Sequence, residues 1–224
     1  AARPLATLVS AAVPRDFTDE QAMILFDAMK HVAEEFHAPL VGGDLSVHQD
    51  PAARLVCSVT VAGIAPQGGE VTRCGAQPGD GIYVTGCVGG AWRGDHHLHF
   101  RPRIAEATML RAILRERLHS MIDISDGLGQ DAGHLVERSV LQVVLDQDLI
   151  PVREGADLKQ AMGDGEDYEL LFTASGEVPE GLGGCSVTRI GHIAERAAGD
   201  DSLVLLDGPD GQRDIGSAGW EHSS

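Results

Sequence analysis

The sequence has no long apolar run, no paired-cysteine motif, no excess of positive charge and no glycine-rich phosphate loop. Each absence removes a class of function. No stretch approaches the ~18 apolar residues that a membrane-spanning helix needs, and the N-terminus lacks a basic region followed by an apolar segment. Both point to a cytoplasmic protein. Cys57, Cys74, Cys87 and Cys185 show no CxxC spacing and no histidines in a zinc pattern, so they read as reduced, mostly buried thiols. With 34 acidic against 17 basic residues and a net charge of −17, the chain has no basic stripe to displace counterions from a nucleic-acid backbone. Neither GxxxxGK[ST] nor GxGxxG occurs, so any nucleotide site uses another architecture.

What is present is an ordinary globular composition, 43% hydrophobic and 23% charged over 224 residues, enough for one large domain or two small ones. The acidity is compatible with a nucleotide, because Mg²⁺ can bridge carboxylates to phosphate oxygens. The chain opens on an apolar run without Met, which suggests a start inside a longer protein. Thr18, followed by Asp19, Glu20 and Gln21, is a capping-box signature, and Ala22, Leu25, Phe26, Met29, Val32, Ala33 and Phe36 recur at helical spacing. A helix is predicted over 18–37. Gly42, Gly43 and Asp44 read as a turn that brings backbone close to a neighbour. Alternation predicts strands over 55–65 and 82–84, and the irregular stretch 86–102 is taken as a domain boundary. Beyond it, helices are predicted over 104–118 and 128–138, and strands over 141–145, 169–173, 186–190 and 203–206. The alternation in both halves makes the fold class α/β or α+β with mixed sheets.

The chemistry concentrates in three acidic segments. In MIDISDGL at 121–128, Asp123, Ser125 and Asp126 lie at a strand-to-helix transition closed by Gly127, so two carboxylates and a hydroxyl can converge. Such oxygen donors suit Mg²⁺. Ser125 or Asp126 as a helix cap is the competing reading. Asp123 sits among Met121, Ile122 and Ile124, and a carboxylate buried there would need a partner or a metal. The second segment, 163–169, holds Asp164, Glu166, Asp167 and Glu169. It reads either as a solvated turn or, at Glu166, as part of a cleft. The third is Gly43 with Asp44, where backbone can meet a phosphate and an acid can meet a metal. His96, His97 and His99 read as loop histidines in solvent.

Together these segments resemble the thiamine-monophosphate kinase family, in the superfamily that also contains aminoimidazole ribonucleotide synthetase, selenophosphate synthetase and a hydrogenase maturation factor. The resemblance is carried by VGGD at 41–44, RCGAQPGD at 73–80, YVTG at 83–86, Pro102 with Arg103, DISDGL at 123–128, GEDYELLFT at 165–173, GHI at 191–193, and Gly219, Trp220 and His222. It implies a two-domain, aminoimidazole ribonucleotide synthetase-like fold: 1–90 would be the remaining part of an ATP-binding and dimerisation domain, and 91–224 a C-terminal α/β domain. It further implies that Asp44, Asp123 and Asp126 bind Mg²⁺, and that Gly43, Asp44, Arg73 and Ser125 contact ATP. Glu166 and Trp220 would contact thiamine monophosphate, and the protein would be a homodimer. The family's N-terminal portion, with its DDA-type acidic segment, has no counterpart in this sequence. A chain complete as given is therefore expected to turn over poorly or to act only in nucleotide binding or dimerisation.

Overall fold

The computed structural model describes residues 2–50 and 52–219. They form two compact units, Ala2–Glu70 and the chain from Val71 onward. The division falls ahead of the expected boundary in 86–102, because the strand at 81–85 is hydrogen-bonded inside the second unit's sheet.

In the first unit, β1 (Arg3–Val13) leads into α1 (Asp19–Glu35), which returns the chain to β2 (Leu40–Val47), parallel to β1. β3 (Val56–Ile64) pairs antiparallel on the other edge, giving the order β2-β1-β3. α1 starts where the capping box predicts: the Thr18 hydroxyl accepts from the Gln21 amide, and the Gln21 side chain accepts from the Thr18 amide. Those reciprocal bonds satisfy amide groups that the first helical turn leaves unpaired. The predicted turn at 42–44 is instead part of β2, with Gly42, Gly43 and Asp44 in register with Leu8, Val9 and Ser10. A Cβ at Gly43 would collide with the Val9 carbonyl, so the glycine permits close approach of two strands. Val9, Ala11 and Val13 are buried, whereas Phe26 and Val32 of the predicted apolar face of α1 are about half exposed.

The second unit is an eight-stranded mixed sheet. Its elements in chain order are β4 (Gly81–Thr85), α2 (His96–His99), α3 (Ile104–Leu114), β5 (Leu118–Asp123), α4 (Leu128–His134), β6 (Leu141–Asp146), α5 (Leu158–Gly163), β7 (Leu170–Ala174), β8 (Gly181–Leu182), β9 (Cys185–Glu195), β10 (Val204–Gly208) and β11 (Gly211–Asp214). The order is β11-β10-β6-β9-β4-β7-β5, with β8 paired to β9. Successive residues of a strand face opposite sides, so each strand supplies two cores. Ile82, Val84 and Leu171 join Ile124, Leu128, Leu145, Ile190 and Leu206 on one side. Tyr83, Leu170 and Phe172 join Leu110, Leu114 and Met121 on the other. Sheets buried on both faces are rich in continuous apolar runs, as at 81–85 and 170–174.

The cysteines depart from expectation: Cys57, Cys74 and Cys87 are exposed and Cys185 is intermediate, all unpaired. His96, His97 and His99 form the short α2 rather than a loop. His96 Nε2 lies 3.2 Å from the Asp167 carbonyl, and His97 Nδ1 3.1 Å from that of Ala91. Among the described residues no helix is long and apolar enough to cross a membrane.

Candidate functional site

In the second unit the two acidic motifs, distant in sequence, become one structure. β5 and β7 are antiparallel neighbours, with Asp123 in register with Leu170, so the loop leaving β5 meets the loop entering β7. The Ile124 amide donates to the Glu169 carbonyl at 2.9 Å and the Tyr168 amide to the Ile124 carbonyl at 2.8 Å. The Glu166 amide donates to the Ser125 carbonyl at 2.8 Å. Gly165 has φ +67, and a Cβ there would lie 2.5 Å from the Ser125 carbonyl oxygen. Glu166 and Tyr168 also have positive φ, 59 and 51. Left-handed backbone in such residues costs about 1–3 kcal/mol each and persists where surrounding structure enforces it, often at functional sites. Gly165→Ala is expected to push the loops apart and cost about 2 kcal/mol, read as a lowered thermal unfolding midpoint; an unchanged midpoint would mean the loops are not in contact.

Asp123 ends β5 and is exposed, so the argument for a buried, metal-requiring carboxylate does not hold at that position. Its placement matters instead. Tyr168 donates its hydroxyl to Glu166 Oε2 at 3.1 Å and stacks on Phe100 with ring centroids 4.0 Å apart. The Tyr168 hydroxyl is pushed above its ordinary pKa by burial first, then by Glu166, Asp123 and Asp126, which places all three carboxylates within its electrostatic reach. Ser125 donates its hydroxyl to Asp126 Oδ1 at 3.2 Å. Asp123, Ser125, Asp126 and Glu166 thus gather around one edge of the sheet.

The helix-cap reading of Ser125 and Asp126 gives way to another arrangement. The residue preceding α4 is Gly127, φ 124, with no side-chain cap. Asp131, one turn into α4, folds back, and its Oδ2 accepts from the amides of Ser125, Asp126 and Gly127 at 3.0, 3.0 and 3.2 Å. Asp131 is only 1% exposed, and burial raises its pKa to about 6 against the opposing pull of those amides. Asp126, Asp131 and His134 each bring one potential ligand atom within 4.8 Å of the others. His134 Nδ1 pairs with Glu137 Oε2 at 2.8 Å, and Glu137 Oε1 accepts from Arg73 Nη2 at 3.1 Å. That chain ties Arg73 to the C-terminal end of α4, and His134 holds the Glu137 carboxyl below its ordinary pKa.

The segment at 163–169 is not a solvated turn. Asp167 is buried and accepts from the Gly89 amide at 2.9 and 3.0 Å and from Arg153 Nη1 at 2.8 Å. Glu169 is buried and takes Arg103 Nε at 2.8 Å and Nη2 at 2.6 Å, with the Thr85 hydroxyl at 2.6 Å. Two of its acids therefore anchor the loop, which leaves partly exposed Glu166 presented outward. In the first unit, Gly43 and Asp44 line a cavity of about 450 Å³ with Val9, Phe26 and Met29. Trp220 lies outside the described residues. Asp131 and Tyr168 were not singled out by sequence reasoning, and Asp167 and Glu169 only as members of an acidic segment. Asp131 looks like any acid in a first helical turn, and only its burial marks it.

The matching family model is the N-terminal domain of AIR synthase related protein, over residues 1–65. The chain is 31% identical to thiamine-monophosphate kinase of Rhodopirellula baltica over 209 residues, 87% of this chain and 64% of that protein. It is 32% identical to the Escherichia coli enzyme over 193 residues, 75% of this chain and 55% of that protein. The chain thus spans less than two thirds of either relative. Among solved structures, AaThiL complexed with AMPPCP and TMP superposes with a TM-score of 0.76 at 25% identity, covering 99% of this chain and 74% of that one. E. coli HypE, a hydrogenase maturation protein, superposes with a TM-score of 0.76 at 18% identity, covering 95% of this chain and 73% of that one, a likeness of fold alone. The mixed sheets and their flanking helices make the fold that of the AIR synthase related proteins. The curated relatives it matches at 31–32% identity are thiamine-monophosphate kinases.

Proposed function

We propose that this chain carries the metal and nucleotide loop of a kinase that transfers the γ-phosphoryl group of ATP to thiamine monophosphate, giving thiamine diphosphate by direct in-line transfer. The observation that carries this reading is the hydrogen-bonded union of the DISDG loop with the GEDYE loop, which gathers Asp123, Ser125, Asp126 and Glu166 at one sheet edge. Exposed and half-exposed carboxylates with a hydroxyl form an all-oxygen donor set that fits Mg²⁺. When bound, Mg²⁺ neutralises phosphate charge and orients the transferring group. Asp123 and Asp126 would hold it here.

Ser125 and Arg73 would contact ATP. The acceptor is itself a phosphate with a second pKa of about 6, largely dianionic at neutral pH, so no general base is required. The obstacle is repulsion between phosphates, and the guanidinium of Arg73 offsets part of it. Glu166, braced by Tyr168, would attract the cationic acceptor, and Trp220 would stack on one of its rings. The working protein is read as a cytoplasmic homodimer.

The test is incubation of the purified protein with ATP and thiamine monophosphate, followed by chromatography of the thiamine phosphates. Thiamine diphosphate should form with Mg²⁺, stop with EDTA and resume on re-addition of Mg²⁺. Transfer to a different acceptor with no thiamine diphosphate would overturn the proposal.

A further inference from the structure

Asp131 is the feature of the second unit that the kinase reading leaves without a task. A buried carboxylate is costly unless paired, yet Asp131 is 1% exposed and pairs with no arginine or lysine among the described residues. Its Oδ2 instead collects three consecutive amides, of Ser125, Asp126 and Gly127. Successive backbone N–H groups pointing at one spot form an anion-binding concavity; here the anion is built in. The bend that produces it needs Gly127 at φ 124, where a Cβ would meet the Met162 carbonyl oxygen at 2.8 Å. The opposite wall is the GEDYE loop, hydrogen-bonded to the Ile124 and Ser125 carbonyls. The loop is thus gripped from both sides, its amides by Asp131 and its carbonyls by the amides of Tyr168 and Glu166.

We propose that Asp131 is a positioning residue: its carboxylate acts as a hydrogen-bond acceptor that fixes the backbone of residues 125–127, so that the Asp123 and Asp126 side chains are held ready for a divalent cation. This rests on the metal reading of that loop given above. Acceptor capacity, and not negative charge, is what the three amides require. Asn keeps one acceptor oxygen in the place of Oδ2; Ala keeps none. A direct metal ligand would depend on the charge and would not tolerate Asn.

The experiment combines amide hydrogen exchange with Mn²⁺ titration followed by electron paramagnetic resonance, on the wild type, Asp131→Asn and Asp131→Ala. The amides of Ser125, Asp126 and Gly127 should be protected in the wild type and in Asp131→Asn, and exchange about tenfold faster or more in Asp131→Ala. Mn²⁺ affinity should fall about tenfold to a hundredfold in Asp131→Ala and stay within about threefold of wild type in Asp131→Asn. Full protection of the three amides in Asp131→Ala overturns the proposal. So does loss of Mn²⁺ binding in Asp131→Asn with the amides still protected, which would make Asp131 a ligand. Should Asp131→Ala not fold, unprotected amides in the wild type or in Asp131→Asn overturn it equally. Absence of Mn²⁺ binding in the wild type refutes the metal reading separately, and the amide pattern still decides the role of Asp131.

Discussion

On the proposed kinase reading, Asp123→Asn is expected to lower Mg²⁺-dependent phosphoryl transfer by at least about a hundredfold, the scale on which one electrostatic contact to the transferring group is felt, while leaving the unfolding midpoint unchanged. The separation of the two effects follows from where Asp123 stands. It is exposed at the end of β5, and among the described residues its carboxylate makes no hydrogen bond or ion pair that holds the fold together. Asn preserves shape and removes the charge, so ground-state packing survives and the attraction for a cation does not. Kinetics over a Mg²⁺ titration distinguish a raised metal requirement from a lost step. Turnover equal to wild type at subsaturating Mg²⁺ would remove Asp123 from the site.

The largest stability effect is expected at Arg103. Glu169 has a side chain 4% exposed and is held by two guanidinium nitrogens of Arg103, whose own side chain is 22% exposed. The Glu169 bond is the chief cause that raises the Arg103 pKa, and burial opposes it. Removing one partner of a buried pair leaves an uncompensated charge and costs about 3–5 kcal/mol. Arg103→Met is therefore expected to destabilise the second unit by that amount in urea unfolding. Adding Glu169→Gln should recover much of the loss, because the neutral amide has little charge to desolvate and the Thr85 hydroxyl can still bond it. A loss below about 1 kcal/mol in Arg103→Met, the range of exposed pairs, would show that Glu169 reaches water. The same network joins β4 to the loop ahead of β7, since the Leu170 amide donates to the Thr85 hydroxyl at 2.8 Å. A local failure there would loosen the loop that presents Glu166.

Much of the secondary structure was legible because its causes are local. The Thr18 and Gln21 capping box lies within one helical turn, and the strands at 81–85 and 170–174 are short apolar runs bounded by turn residues. The β2 segment misled because glycines signal turns far more often than strands, and the reason for Gly43, the nearby Val9 carbonyl, is more than thirty positions away in sequence. The helices predicted over 104–118 and 128–138 end early. α3 stops at Leu114, before Arg115 at φ 54, and α4 stops at His134. Cys57, Cys74 and Cys87 were misplaced for a similar reason: residue type alone carries no information about which surfaces distant parts of the chain will cover.

By itself the sequence determined the α/β class, the acidic segments and the pairing of DISDGL with GEDYELLFT that carries the resemblance, because composition, periodicity and motif are properties of the chain in order. Only the tertiary structure decided which acids face outward and which hold the fold. Asp167 and Glu169 are spent on Arg153 and Arg103, and Asp131 on the amides of its own loop, while Asp123, Asp126 and Glu166 are left at the sheet edge. The physical reason is that a carboxylate's role is set by its desolvation and its partners. The partner of Glu169 lies 66 residues away, a separation at which spacing says nothing.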